Sequence, residues 1–268
     1  MTFSFSLAAA LQALYLAYSA YCDEPLLTSW TCMYCAPGAA NATVSSDSFT
    51  GGYGFVTFNK SEDVIIVSFR GSADVQNWIA NVDAAQAWPF PQLPNVAVHA
   101  GFYQVYASVV AGLLQGVFGA QKACPRCRKL LVTGHSLGGA LATMGAFEWS
   151  ELFRNQLEVS LVTFGSPRLG NPAFEREFRR RPIRRHWRVV HNADIVPHVP
   201  QQWQFPYWTV FSHVETEVWF NQNSTDFTIC NGPEDPTCSD SVAIWDTSID
   251  DHNDYLGVQK QHCVARSN

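Results

Sequence analysis

The chain has 268 residues, of which 47% are hydrophobic and 15% charged. That is enough apolar material for one large domain or two small ones, and it excludes intrinsic disorder. The net charge of −6 excludes nucleic acid as the main partner, and excludes attraction to anionic membranes as the main binding force.

Residues 3–21 are strongly apolar and contain no Lys or Arg; the first basic residue is Lys60. A missing basic n-region argues against a secretory signal, and Gln12 with scattered Ser and Tyr makes a poor membrane span. The segment reads as a long helix packed on the domain, with any leader expected upstream of it. Gly54 to Phe58 alternates, residues 59–63 supply turn chemistry, and Val64 to Phe69 follows as a buried strand, so the pair reads as a hairpin.

In residues 73–82, Val75, Trp78, Ile79 and Val82 fall at i, i+3, i+4 and i+7, while Asp74, Gln76, Asn77 and Asn81 take the other faces. The ordinary reading of that stripe is a surface helix turned to the core. Phe102 to Phe118 has helical spacing. Lys129 to Thr133 reads as a buried strand, followed by the small, helix-compatible run from Gly139 to Phe147. Further strands are expected at Val159–Phe164, His186–Val190, Val214–Phe220 and Asp226–Ile229. Between them, Arg176, Arg179, Arg180, Arg181, Arg184, Arg185 and Arg188 concentrate seven of the 17 basic residues. They read first as a solvated helix face and loop, and second as an anionic-lipid contact. Strands alternating with helices, with no repeat or linker, imply a single α/β domain over 1–268, with a central, mostly parallel sheet and helices on both faces.

Between the Lys129–Thr133 strand and its following helix sits Gly134-His135-Ser136-Leu137-Gly138, a G-x-S-x-G motif in the strand–turn–helix context that presents a nucleophilic serine. A serine hydroxyl needs a base within hydrogen-bond reach, and the base needs an orienting acid. In an α/β-hydrolase sheet these follow in the order Ser, acid, His. Asp194, just after the Val189-Val190 strand, is the leading acid, against a structural carboxylate at a turn. His198, His213, His252 and His262 compete for the base, and spacing alone leaves the choice open. His198 is close to Asp194 in an extended Pro-containing segment. His213 suits a core position, His262 abuts Cys263, and His252 lies in a polar loop that could reach over the serine.

Eight cysteines and three sequons, at Asn41, Asn59 and Asn223, together favour a secreted, oxidised glycoprotein. A zinc site built from Cys32, Cys35, Cys124 and Cys127 is the rival.

The chain resembles the class 3 lipases of filamentous fungi. The resemblance rests on Phe69-Arg70-Gly71-Ser72, His99-Ala100-Gly101-Phe102, Gly134-His135-Ser136-Leu137-Gly138-Gly139, Phe164-Gly165-Ser166-Pro167-Arg168-Leu169-Gly170-Asn171, Asn192-Ala193-Asp194-Ile195-Val196-Pro197 and the Asp251-His252 loop, in that order. It implies an α/β-hydrolase-type fold and a triad of Ser136, Asp194 and His252. It also implies an oxyanion hole from the Leu137 N–H and Ser72; for Ser72 alone, a helix N-cap is the plainer reading. Beside Ser72, residues 73–82 look like the family's lid. The resemblance and loop closure imply the pairs Cys22–Cys263, Cys32–Cys35, Cys124–Cys127 and Cys230–Cys238, out of about 105 possible pairings. No metal or cofactor is implied. The expected partners are acylglycerol and a lipid–water interface, with no nucleic acid, no transmembrane segment and a monomeric state. Two departures from this reading are weighed, an esterase for soluble esters on the same fold and a non-catalytic lipid-binding protein. Asp250, Asp251, Asn253 and Asp254 around His252 depart from the family's apolar surroundings there, and predict a negatively charged rim that favours mono- and diacylglycerols.

Overall fold

The computed structural model describes residues 4–35, 37–204 and 209–266. Eight strands form the central sheet: β1 (Ala39–Ser46), β2 (Tyr53–Asn59), β3 (Val64–Phe69), β4 (Lys129–His135), β5 (Glu158–Phe164), β6 (Ile183–His191), β7 (Glu217–Phe220) and β8 (Phe227–Ile229). Their spatial order is their chain order. The pairs β1–β2, β2–β3 and β7–β8 are antiparallel; every pair from β3 to β7 is parallel. The expected hairpin is therefore β2–β3. β1 was not foreseen: its sequence, Ala39 to Ser46, is small and polar and lacks the alternation that marks a strand.

Among the described residues there are six α-helices: α1 (Leu7–Ser19), α2 (Glu24–Thr28), α3 (Val75–Asn81), α4 (Ala100–Ala123), α5 (Leu137–Leu152) and α6 (Pro172–Arg179). The parallel strands advance steadily in one direction, and parallel crossovers are right-handed, so all the crossover helices must fall on one face. Period-two alternation splits the strands accordingly. Leu130, Val132, Val159 and Leu161 pack with Tyr106 and Val109 of α4, Phe147 of α5 and Phe174 of α6. Phe55, Phe164 and Val189 face the other way, against Leu14, Ala17 and Tyr18 of α1. This back face has no crossover helix. It is covered by α1 and by the C-terminal segment, which Cys22–Cys263 and the bond from Met33 N–H to the Val264 carbonyl hold in place. The expected N-terminal helix is thus present, capped by the Ser6 hydroxyl accepting from Ala9 N–H. Among the described residues α4 is long and apolar enough to cross a membrane; one face of it is buried in the main core.

All eight cysteines form the four expected disulfides, which removes the thiolates a zinc site would require. Arginines of the Arg-rich segment pair with carboxylates within the molecule. Arg179 meets Glu175 and Glu215, Arg180 meets Glu177, Arg181 meets Glu151, Arg184 meets Glu158, and Arg188 meets Glu217. Of the sequons, Asn223 is exposed and the Asn41 side chain lies outside the described residues. Asn59 is buried, with its Oδ1 accepting from the Ser61 N–H and hydroxyl, so this position does not suit a surface glycan.

Candidate active site

The C-terminal ends of β3, β4, β5 and β6 deliver Ser72, Ser136, Gly165 and Asp194 to one edge of the sheet, where open α/β sheets collect reactive groups. Ser136 sits between β4 and α5 at φ 62°, ψ −136°, a backbone conformation costly for any residue with a Cβ. The packing holds it there. A Cβ on Gly134 would collide with the Gly138 carbonyl, and one on Gly138 with the Phe69 carbonyl. These two glycines let the first turn of α5 press onto the ends of β3 and β4, which forces Ser136 outward. The N-terminus of α5 adds its partial positive charge behind the hydroxyl.

Of the four downstream histidines, His252 is the one beside the acid. Its Nδ1–H donates to Asp194 Oδ2 at 2.8 Å and Oδ1 at 3.0 Å. Asp194 also accepts from the Tyr255 hydroxyl at 2.5 Å and the Val196 N–H at 2.8 Å. With the Nδ1 proton held by the carboxylate, Nε2 carries the lone pair. Ser136 Oγ and His252 Nε2 are both buried and have no hydrogen-bond partner among the described residues. Unpaired buried polar atoms are costly, and here they are the two atoms between which a proton would pass.

The competing histidines have other partners. The His198 ring lies against the Asp194 and Ser239 carbonyls, at 2.9 and 3.2 Å. His213 donates to the Pro197 carbonyl at 2.8 Å; it lies in no strand, and burial holds its pKa well below the ordinary value. His262 is exposed.

Ser72 and Leu137 flank the serine. A Cβ on Gly71 would lie 2.8 Å from Ser136 Cβ, which brings the loop after β3 against the nucleophile turn. The Ser72 hydroxyl donates to the Asp74 carbonyl at 3.0 Å. The cap of the following helix is Asp74, whose carboxylate accepts from the Asn77 N–H, so the N-cap reading of Ser72 is overturned.

That helix, α3, is the expected lid segment, trimmed to Val75–Asn81 with Val82 just past its end. Val75 is buried; Trp78, Ile79 and Val82 are half-buried. Trp78 stacks on Phe102 at 5.7 Å, and Phe102 on His99 at 3.9 Å. Trp78, Val82, Phe102, Ser72 and Leu137 share a cavity of about 560 Å³, within the usual range for small-molecule pockets. Ser136, Asp194 and His252 are 0% exposed, so the site is shut. A larger cavity of about 900 Å³ lies between α1 and the back of the sheet, away from these residues.

The expected acidic rim is corrected at Asp251. Asp251 Oδ2 accepts from Asn192 Nδ2 at 2.9 Å and the Ala193 N–H at 3.2 Å, so it ties the histidine loop to the loop after β6. Asp250 is exposed, while Asp254 is half-buried. Three residues of the site had no role assigned from the sequence. Tyr255 binds Asp194, His135 supports the His252 loop, and Gly165 has φ +53° with a would-be Cβ 2.9 Å from His252 Cε1.

The sequence matches the class 3 lipase family over residues 66–203. It is 35% identical to a lipase of Rhizomucor miehei over 211 residues, covering 76% of this chain and 55% of that protein. It is 32% identical to secreted mono- and diacylglycerol lipase 1 of Fusarium solani over 197 residues, 71% of this chain and 56% of that one. The chain thus spans a little over half the length of these relatives. Its structure superposes on lipase II from Rhizopus niveus with a TM-score of 0.86, at 29% identity and 96% coverage of each chain.

Proposed function

The chain belongs to the class 3 lipase family, and on that premise we propose that it is a secreted serine hydrolase cleaving acylglycerol esters at a lipid–water interface. The observation that carries the reading is the buried Asp194–His252 pair, whose free Nε2 and the unpartnered Ser136 Oγ are sealed in the same site.

In this reading Ser136 Oγ attacks the ester carbonyl carbon and passes its proton to His252 Nε2. Asp194 stays ionised and stabilises the imidazolium. The carbonyl oxygen becomes an oxyanion, held by the Leu137 N–H and by Ser72. Collapse expels the glyceride alkoxide, which takes the proton from Nε2, leaving an acyl-Ser136 ester. Water then attacks that ester with His252 as base and releases the fatty acid.

In this reading α3 is the lid, which the burial of Ser136, Asp194 and His252 supports. While α3 is docked, the Ser72 hydroxyl is committed to the Asp74 carbonyl. Movement of α3 would both uncover Ser136 and free that donor. Fully exposing the four apolar side chains of the lid would cost on the order of 5–10 kcal/mol; three of them are already half-exposed, so the cost is roughly half of that. A lipid surface taking up that face gives interfacial activation as a population shift. Exposed aromatic residues support contact with such a surface. Phe49 is 89% exposed and lines the cavity beside the lid, and Trp88, Trp203 and Trp245 are 60%, 66% and 83% exposed. Such rings suit a boundary that is apolar on one side and wet on the other.

The Fusarium relative's name makes mono- and diacylglycerols the first substrates to assay, beside triacylglycerols and aromatic esters. The test combines that panel with a serine-directed phosphonate. The expected result is stoichiometric labelling at Ser136, acylglycerol hydrolysis that jumps above substrate solubility, and loss of at least a thousandfold in kcat for a folded Ser136→Ala. A folded Ser136→Ala or His252→Ala variant retaining a tenth of the wild-type rate would overturn the triad. Turnover of soluble esters with no interfacial jump would overturn the lid and favour the soluble-ester esterase.

A further inference from the structure

Tyr21 follows α1 and immediately precedes the Cys22–Cys263 bridge. Its hydroxyl lies 2.9 Å from His135 Nδ1. His135 Nε2 lies 2.8 Å from the His252 carbonyl oxygen. A carbonyl can only accept, so Nε2 carries the proton. Burial, with the neighbouring His252 and Lys260, holds the His135 pKa well below its ordinary value, so the ring is neutral and its Nδ1 must accept. Tyr21 is therefore the donor to His135, and Gly71 packs so closely on its oxygen that a Cβ there would collide with it. Both protons in this series point the same way, from the Tyr21 hydroxyl to the His135 imidazole and from that ring to the His252 carbonyl. Bonds aligned in this sense polarise and strengthen one another.

The two ends of the series meet the two halves of the site. Gly71 adjoins Ser72 and packs on Ser136. The His252 carbonyl belongs to the residue whose ring takes the serine proton. The His135 and His252 rings also lie 4.4 Å apart, and a second positive charge there would oppose the imidazolium of the reaction.

We propose that Tyr21 and His135 are positioning residues, a tie of close packing and hydrogen bonds that sets the loop bearing Ser72 and the loop bearing His252 at a fixed separation across Ser136. This rests on the serine hydrolase reading above. It assigns a part in the chemistry to α1, which otherwise serves as cover for the back of the sheet. Tyr21 touches no reacting atom; it acts through the placement of those that do.

Tyr21→Phe removes one oxygen and leaves the ring, with its edge contact to His135 at 5.8 Å and its place beneath Lys260 at 4.3 Å. It leaves His135 Nδ1 without its partner and opens a gap against Gly71. Misplacement of catalytic groups by about 1 Å can cost about 100-fold in rate. The expected result with a soluble short-chain ester is therefore a fall in kcat of about 10- to 100-fold, with KM changed less than about threefold. His135→Phe should lose at least as much, and His135→Gln, which keeps an N–H donor, should recover part of the loss. Because the two residues act as one unit, the Tyr21→Phe, His135→Phe double variant should be no slower than His135→Phe alone. Wild type and Ser136→Ala are measured in parallel. An inactive wild type would sink the hydrolase reading itself. An active wild type with Tyr21→Phe within twofold of it in kcat, a loss carried by KM, or losses that multiply in the double variant would overturn the tie while leaving the triad standing.

Discussion

Gly165 is where a single methyl group should separate structure from activity. It lies at the end of β5 with φ +53°, and a Cβ there would stand 2.6 Å from Asp194 Oδ2, 2.8 Å from the Tyr255 hydroxyl and 2.9 Å from His252 Cε1. Ordinary contact begins near 3.4 Å, so in Gly165→Ala the acid, its supporting tyrosine and the base must each retreat by about 0.5–0.8 Å, a displacement of the size that costs about 10- to 100-fold in rate. The left-handed backbone adds about 1–2 kcal/mol of strain. Gly232→Ala supplies the control. It has φ +86° and nothing within 4 Å of its would-be Cβ, so it bears backbone strain with no collision. Measured on a soluble chromogenic ester, Gly165→Ala should lose kcat by about 10- to 100-fold, while Gly232→Ala keeps it, with both melting temperatures lowered by only a few degrees. If Gly165→Ala retains kcat within threefold while remaining folded, the Asp194–His252 geometry is not what limits the reaction, and the placement argument fails.

Trp78→Ser removes the stacking of the lid on Phe102. It should blunt the rate jump on aggregated substrate more than it changes turnover of a soluble ester, and equal effects on both would refute a lid role. Arg188 and Glu217 are each 3% exposed and bonded at 2.6 Å. Arg188→Met should cost about 3–5 kcal/mol in denaturant unfolding by stranding a buried carboxylate, and Arg188→Met with Glu217→Leu should cost markedly less; the reverse ranking would refute that account. Burial holds His135 and His213 well below their ordinary pKa of 6.5. The unfolded chain therefore takes up protons below about pH 6.5 that the folded chain does not, so stability is fully present above that pH and declines as pH falls below it. Thermal melts should show a steady loss of stability from pH 7 to pH 5, and a flat profile would show that these rings can be protonated in place.

The parts of the site that follow from local chemistry were legible in the sequence. Glycines at fixed offsets around Ser136 mark a strained turn, because no other residue lets α5 approach β3 so closely. The apolar runs before Ser136 and Asp194 mark buried parallel strands, which place both residues at strand ends. His252 could not be chosen by spacing, since four histidines follow Asp194 and the decisive contact spans 58 residues; the resemblance to a family supplied it. Tyr255 and His135 were invisible for the same reason. Nothing in an isolated Tyr or in the second position of G-x-S-x-G signals a partner far away in sequence. Asp251 shows the opposite error. A carboxylate beside the base reads as rim charge until the Ala193 N–H and the Asn192 amide are found on it, and then it is a loop tie. The polar strand β1 escaped because it pairs at an edge, where one strand's worth of backbone bonds outweighs weak patterning.

The layout of the sheet also explains why the N-terminal helix matters to a site built almost entirely by residues after Phe69. Five parallel strands laid down in spatial order commit every right-handed crossover to the front face. Left bare, the back of the sheet would expose Phe55, Phe164 and Val189, all at most 1% exposed in the folded protein. The cover must therefore come from outside the parallel core, and α1 supplies it. A helix crossing the back of β4 and β5 ends near the C-terminal ends of those strands, which is the edge where Ser136 emerges. Tyr21 leaves α1 at that edge, and Cys22 fixes it to Cys263, eleven residues beyond His252 in the chain. The element required for burial is thereby the element best placed to set the distance between the two loops of the site. The N-terminal half of α1 can then be varied for stability with little effect on kcat, whereas Tyr21, just past its end, cannot.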